Sequence, residues 1–478
     1  MTTQTAQPGG GAGPAAPPAN TSPSRPAVVP ADRAVPEDPA AYRLDRLGAA
    51  LLIGEALLLM IVVVALLGVV ADYSPAVRVV SLLNVGLVGV TTVAAIVAAV
   101  VVVLVTAANK SRRARFLAVA IGGGLVFAVP CLVFVVFVLA QAGIAWPGTL
   151  LSIPTTFFGL WTFRRMQRNR KPPWLLVLAA FAWGVFVSAY FAQTVEGTLH
   201  AIITAEVLPG AAAIISHSAA AAVPEEVGKG AGVVVLVLLA WRRVDGMLGG
   251  IVLGACVGLG FQFTESVFYM TRDFDAVLYQ HWTRQVTGLL VGHATYTGII
   301  GAGVGLAMRL ADWPRRIICV GSGFAVAIAA HLIWDIFAMG QFYWAADDDW
   351  LQVFVVQPLN MIVLKGPAFV ILLLLVIIAL RQETRALHRH LQAEASQPLG
   401  AIAPADVPVL VNAPLRFRMR LRALWGGSFA AYGRVRDLHA AQLDLAFARW
   451  RREQGEPPAP GVEEALRQRI HRLKAEAA

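Results

Sequence analysis

Seven ionisable residues stand inside strongly apolar stretches between positions 219 and 339. Glu225, Glu226 and Lys229 lie in "VPEEVGKG", Glu265 in "FQFTE", His293 in "VGHATYTG", and His331 with Asp335 in "HLIWD". Two imidazoles and a carboxylate form an open zinc set that leaves a position for water, and a further glutamate can serve as general base. Without a metal, a desolvated glutamate can still deprotonate water and return the proton to a leaving amine, while histidine and neighbouring donors stabilise the oxyanion. Both schemes hydrolyse an amide. In the zinc version the expected ligands are His293, His331 and Glu265, with Asp335 holding His331 from one turn away. Glu225 with Lys229, and His331 with Asp335, are i,i+4 pairs that share a helix face and so orient one another. Glu226 is turned about 100° from Glu225, so at most one of the two is expected to point squarely at a common centre.

The elements that must position these groups are membrane helices. Of the 478 residues 57% are hydrophobic and only 14% charged, and the mean hydropathy is +0.66, too apolar for an ordinary soluble domain. Ten apolar runs approach the roughly 20 residues needed to cross the hydrocarbon, at 47–71, 79–107, 116–141, 144–163, 174–194, 219–241, 247–270, 286–310, 317–339 and 351–380. The fold class is therefore all-α, a polytopic transmembrane bundle of about ten helices. Residues 1–40, rich in Pro, Ala and Gly, read as a disordered tail without the features of a signal peptide. The chain then divides into N-terminal membrane helices (47–171), a membrane core carrying the candidate residues (174–340), a last membrane helix (351–380) and a basic, partly helical C-terminal tail (381–478). The segment at 195–218 is semi-apolar and is expected as a re-entrant or interfacial element.

Charge distribution sets the orientation. "NKSRRAR" (109–115), "RRMQRNRK" (164–171), "WRR" (241–243), "RLADWPRR" (309–316) and "RQETRALHRH" (381–390) fall on one side of the ten-helix arrangement, and "ADDDW" (346–350) on the other. The positive-inside rule then puts both termini in the cytoplasm of a cell-membrane protein. Because successive helices alternate in direction, the four motifs all fall in the outward half of the bilayer, within roughly 5 to 12 Å of its boundary at 1.5 Å per residue. A charged residue at a helix centre costs about 2.5–3.5 kcal/mol on the translocon scale, so such a gathering implies pairing or a wet cavity.

Each piece also has a purely structural reading. "PEE" suits a helix N-terminus, with Pro first and acids facing the macrodipole. Lys229 can neutralise a carboxylate, a lone histidine is most often a hydrogen-bonded core residue, and His331 with Asp335 can be a structural pair. Glu55, Asn84 and Lys365 have no such company and read as structural. Cys131, Cys256 and Cys319 lie in apolar runs without CxxC spacing, which argues against a disulfide framework or thiolate zinc site. The net charge of +10 falls in loops beside apolar runs, where it meets anionic lipid, and implies no nucleic acid.

Glu225-Glu226-x-x-Lys229, Phe261-x-x-x-Glu265, His293 and His331-x-x-x-Asp335, on four successive helices, together resemble the PrsW family of intramembrane proteases, related to the clan of the CAAX prenyl endopeptidases and the abortive-infection membrane proteases. The resemblance covers about residues 174 to 340. It implies a membrane-embedded endopeptidase, metallo- or glutamate-dependent, that cuts a membrane-anchored protein near its outer face. In the namesake the substrate is an anti-sigma factor. The rival function is a proton- or ion-coupled transporter using the same acids and histidines. Against it, the polar groups gather in one half of the bilayer, and the first five helices show no repeat of the carboxylate motifs.

Overall fold

The structure is a computed structural model that describes residues 39–70 and 138–476, apart from short breaks at 207, 273–276, 341–344, 346–347, 399, 455–457 and 459, with a few isolated positions between 75 and 136. The tail at 1–38, Asn84 and nearly all of the second and third apolar runs lie outside the described residues. Within them the chain is helical, without strands. Its helices are α1 (Pro39–Val70), α2 (Trp146–Met166), α3 (Trp174–Ala205, with a π-turn at Trp183–Ser188), α4 (Gly210–Leu239) and α5 (Gly246–Arg272). A short α6 (Val277–Gln280) runs on as a π-turn (His281–Thr287), and α7 (His293–Ala307), α8 (Trp313–Met339) and α9 (Asp349–Ala395) follow. The C-terminal helices are α10 (Val407–Val411), α11 (Ala413–Trp425), α12 (Phe429–Glu453) and α13 (Val462–Ala475).

Four of the described helices, α3, α5, α8 and α9, are long and apolar enough to cross a membrane. Their burial sorts them. The apolar window of α5 is 94% buried and that of α8 only 17%, so α5 is the central post and α8 lies at the rim. Ile317, Ile318, Leu374 and Ile377 on the outer faces of α8 and α9 are exposed, a surface suited to lipid. Glycine makes the centre possible. Gly250, Gly254 and Gly258 recur every fourth residue on α5, and a Cβ at each would overlap the backbone of Gly301, Thr297 and His293 on α7. Small-residue stripes of this kind let two backbones touch, which outweighs the poor helix propensity of glycine.

Two expectations are corrected. The segment at 195–218 is not a re-entrant element: α3 continues to Ala205 and α4 begins at Gly210, so both are extended helices joined by a short turn. Pro224 therefore lies inside α4 rather than at its start. The helix N-terminus account of "PEE" fails with it, because Glu225 and Glu226 are more than three turns into the helix. Pro224 also removes the donor that would bond the Ala220 carbonyl, a local weakness beside the acidic pair.

The eighth apolar run is broken. Its helix starts at His293, after a turn at 288–292 in which Gly292 has φ −96° and ψ −127°, and the 15 residues of α7 are too few to cross the hydrocarbon alone. Non-helical backbone at membrane depth is tolerated where it lines a cavity. The C-terminal residues form a packed unit: Leu387 and Leu391 of α9 share a core with Leu410, Leu443, Phe447 and Ile470. Glu394 is buried in that unit between Arg449, at 2.5 Å, and Arg467, at 2.8 Å.

Candidate active site

Lys229 is the geometric centre of the site. It is fully buried on α4, and its Nζ lies 2.7 Å from Glu226 Oε1, 3.1 Å from Glu225 Oε2 and 2.9 Å from His293 Nδ1. The ring of Phe261, the first residue of the second motif, sits 4.2 Å beneath it. An ammonium has three donors, and these three acceptors use them all. The expectation that only one of the adjacent glutamates reaches the centre is thereby corrected. Lys229 stands three residues from one and four from the other, so it faces both, and the flexible glutamate side chains close the 100° between them.

The histidines arrive from two further helices. His293 opens α7, and because Lys229 can only donate, its Nδ1 accepts; Nε2–H then donates to Glu265 Oε2 at 2.6 Å, an assignment made from the network. His331, buried on α8, places Nδ1 2.9 Å from Glu226 Oε1, while Nε2 lies 3.5 Å from Asp335 Oδ2 and 3.8 Å from Glu225 Oε2. The two imidazoles meet edge to face at 5.0 Å, and Tyr296 stacks on His331 at 5.3 Å.

Glu225, Glu226, His293 and His331 each offer a ligand atom within 4.8 Å of the others. Two carboxylates and two imidazoles are a donor set suited to a divalent ion such as zinc. Glu226 Oε2 is buried and makes no hydrogen bond, a costly arrangement that an ion would relieve. The set fits a metal.

Glu265 stands elsewhere than the His-His-carboxylate expectation put it. It lies across the far nitrogen of His293 and pairs with Arg284 Nη2 at 2.5 Å, so it orients the ring from behind and is outside the four-residue donor group. Arg284 was not among the candidates from sequence. It lies within the π-turn before the broken span, in "HWTRQ", a stretch just ahead of the eighth apolar run.

Lys365 also changes role. It read as an isolated residue of the last membrane helix, yet its Nζ lies 3.7 Å over the ring of Trp334 and helps line a cavity of about 150 Å³ together with Arg284, His293, Tyr296 and His331. No residue of α4 lines this cavity. Glu55 lies on α1, and its side chain is outside the described residues.

Residues 172–364 match the model of the PrsW family intramembrane metalloproteases. The match bears out the resemblance and contains all seven sequence candidates, with Lys365 one residue beyond its end. No curated protein and no solved structure matches the chain.

Proposed function

We propose, taking that match as the premise, that this membrane-embedded enzyme hydrolyses a peptide bond of a membrane-anchored protein at the cluster built from Glu225, Glu226, His293 and His331. The observation that carries the reading is the convergence of two carboxylates and two imidazoles within 4.8 Å, beside a cavity, from three helices. An anti-sigma-factor-like single-pass protein is the substrate the resemblance supplies.

His293, His331 and Glu226 would hold the ion, and zinc suits their chemistry. Bound there, it would polarise the scissile carbonyl and acidify a water. The remaining work belongs to the chain. Glu225, the less enclosed of the two adjacent acids, takes the proton of the attacking water on a carboxylate oxygen and returns it to the leaving amide nitrogen. Lys229 fixes both carboxylates, Glu265 with Arg284 fixes the His293 ring, and Asp335 turns His331. Lys365, from the cavity side, presents an ammonium toward the place where negative charge develops on the carbonyl oxygen.

Topology follows the same proposal: about ten spans in the cell membrane, residues 1–40 disordered, both termini cytoplasmic, and the site in the outward half. The gathering of basic stretches at one end supports it. Arg416 hydrogen-bonds Arg168 O and Asn169, Arg451 pairs with Asp245 beside the 241–243 turn, and Arg309 donates to Gln454, so three basic segments meet the C-terminal unit together.

The test is cleavage of a single-pass substrate by the full chain in nanodiscs, with metal content measured in parallel. Glu225→Gln is expected to lose at least about 100-fold in rate, the scale of acid-base catalysis, while keeping its metal. Glu226→Gln is expected to lose both. Wild-type cleavage by each single variant would overturn the assignment.

A further inference from the structure

A second cavity lies outside the proposed protease site. It occupies about 360 Å³ at the junction between the membrane helices and the C-terminal unit. One wall comes from the loop after α2 (Arg170) and the turn after α4 (Trp241, Arg242, Arg243), the other from α12 and α13 (Phe447, Arg451, Leu466).

The charge of this cavity is strongly one-sided. Four guanidinium groups, those of Arg170, Arg242, Arg243 and Arg451, meet two carboxylates, Asp245 and Asp444, which leaves two positive charges in excess. Arg451 is committed to Asp245. Arg170 is held loosely, 3.4 Å from Asp245 Oδ2 and 3.7 Å from Asp444 Oδ1, long for charge-assisted contacts and easily re-aimed. Arg242 and Arg243 are exposed, and among the described residues no carboxylate stands within ion-pair distance of either. Arg242 lies 5.0 Å over the Trp241 ring, which also carries Arg46 at 4.3 Å. Opposite the guanidinium side, Phe447, Ala448, Val462 and Leu466 supply an apolar wall.

Clustered arginines with an apolar wall are the chemistry of phosphoryl recognition, since the planar fork binds two phosphate oxygens at once and the wall takes the carbon body of the ester. We infer that this junction cavity binds a phosphate-ester anion with a short apolar body. It can reach the site as the headgroup of an anionic phospholipid or as a soluble phosphate ester. The bound group would bridge the turn after α4 to α12, and so fasten the C-terminal unit to the helix that carries Glu225, Glu226 and Lys229.

The experiment uses the full chain in nanodiscs of neutral phosphatidylcholine, titrated with short-chain phosphatidylglycerol, with glycerol 3-phosphate and with inorganic phosphate, binding being read by thermophoresis. Wild type is expected to bind at least one of the three saturably. Arg242→Ala/Arg243→Ala is expected to weaken that binding about 30-fold, the worth of two basic residues at an anionic surface, and Arg385→Ala/Arg418→Ala, exposed arginines elsewhere, to leave it within about twofold. Binding of the lipid alone assigns the headgroup, and equal binding of glycerol 3-phosphate assigns a soluble ester. Should the alanine pair unfold, Arg242→Lys/Arg243→Lys keeps the charge and is expected to retain most of the binding. The inference is overturned if no probe binds wild type, if both alanine pairs lose binding equally, or if the folded lysine pair binds no better than a protein without the cavity.

Discussion

Replacing Lys229 with methionine tests the heart of the site. The change keeps an unbranched apolar stem against Phe261 and removes the ammonium that stands 2.7 and 3.1 Å from two buried carboxylates and 2.9 Å from His293 Nδ1. Removing one partner of a buried ion pair costs about 3–5 kcal/mol, because the other charge is left uncompensated. Here two carboxylates lose their partner, and protonation of one of them holds the expected loss to about 4 kcal/mol. For a helical core of this size that is roughly a 10 °C fall in midpoint, read by intrinsic fluorescence during thermal unfolding of the metal-free protein. A divalent cation supplies the missing positive charge. Zinc at about 100 times its dissociation constant should restore about 2.7 kcal/mol, so the variant should gain as much as wild type or more. A midpoint shift under about 2 °C without metal would refute the view that this ammonium compensates both glutamates. So would an unfolded-like variant that zinc leaves unchanged.

Three further outcomes are expected. His331→Ala should lower bound zinc below stoichiometric by elemental analysis as well as end cleavage, and a chelator should inactivate wild type reversibly; an active preparation without metal would decide for the metal-free route. Gly258→Ala should separate α5 from α7 at the carbonyl of His293, costing about 1–3 kcal/mol in stability and at least tenfold in rate, whereas Gly321→Ala, with open space around it, should change neither measurably. His439, buried in α12 near Arg420 and Arg416, is pushed down from its ordinary 6.5 to about 4, chiefly by burial and then by those arginines. The unfolded chain therefore takes up the proton first, so the C-terminal unit should lose up to about 3 kcal/mol between pH 6.5 and 4, and His439→Leu should flatten that slope in hydrogen exchange of α12.

The candidate residues were legible because each motif is a charged word in an apolar sentence, and alternation of helix direction alone led to the expectation that Glu225, Glu265, His293 and His331 share one depth. Arg284 and Lys365 were not legible. Arg284 is delivered by a π-turn and a broken span, features that hydropathy averages away, and Lys365 acquires its neighbours only when α9 packs beside α8. The start of α4 was misplaced because "GAAAIISHS" is too polar for a hydropathy window yet rich in good helix formers, and tertiary packing decides such stretches. The glycine stripe at 250, 254 and 258 was present in the sequence as a four-residue repeat, and it is the signal that could have predicted the α5–α7 contact in advance.

The helix α9 belongs to both halves of the molecule. It brings Lys365 to the cavity beside the histidines and, farther along the same backbone, Leu387, Leu391 and Glu394 to the core of the C-terminal unit. At 1.5 Å per residue those two ends are about 44 Å apart, so a tilt of roughly 5° at Glu394 swings the far end by about 4 Å, more than the length of a hydrogen bond. Pro367, two residues from Lys365, removes one backbone bond there. Mechanically the helix is one rod: a change of tilt where it joins the C-terminal unit reaches Lys365 at the cavity beside the histidines, with no need to pass through the packed core.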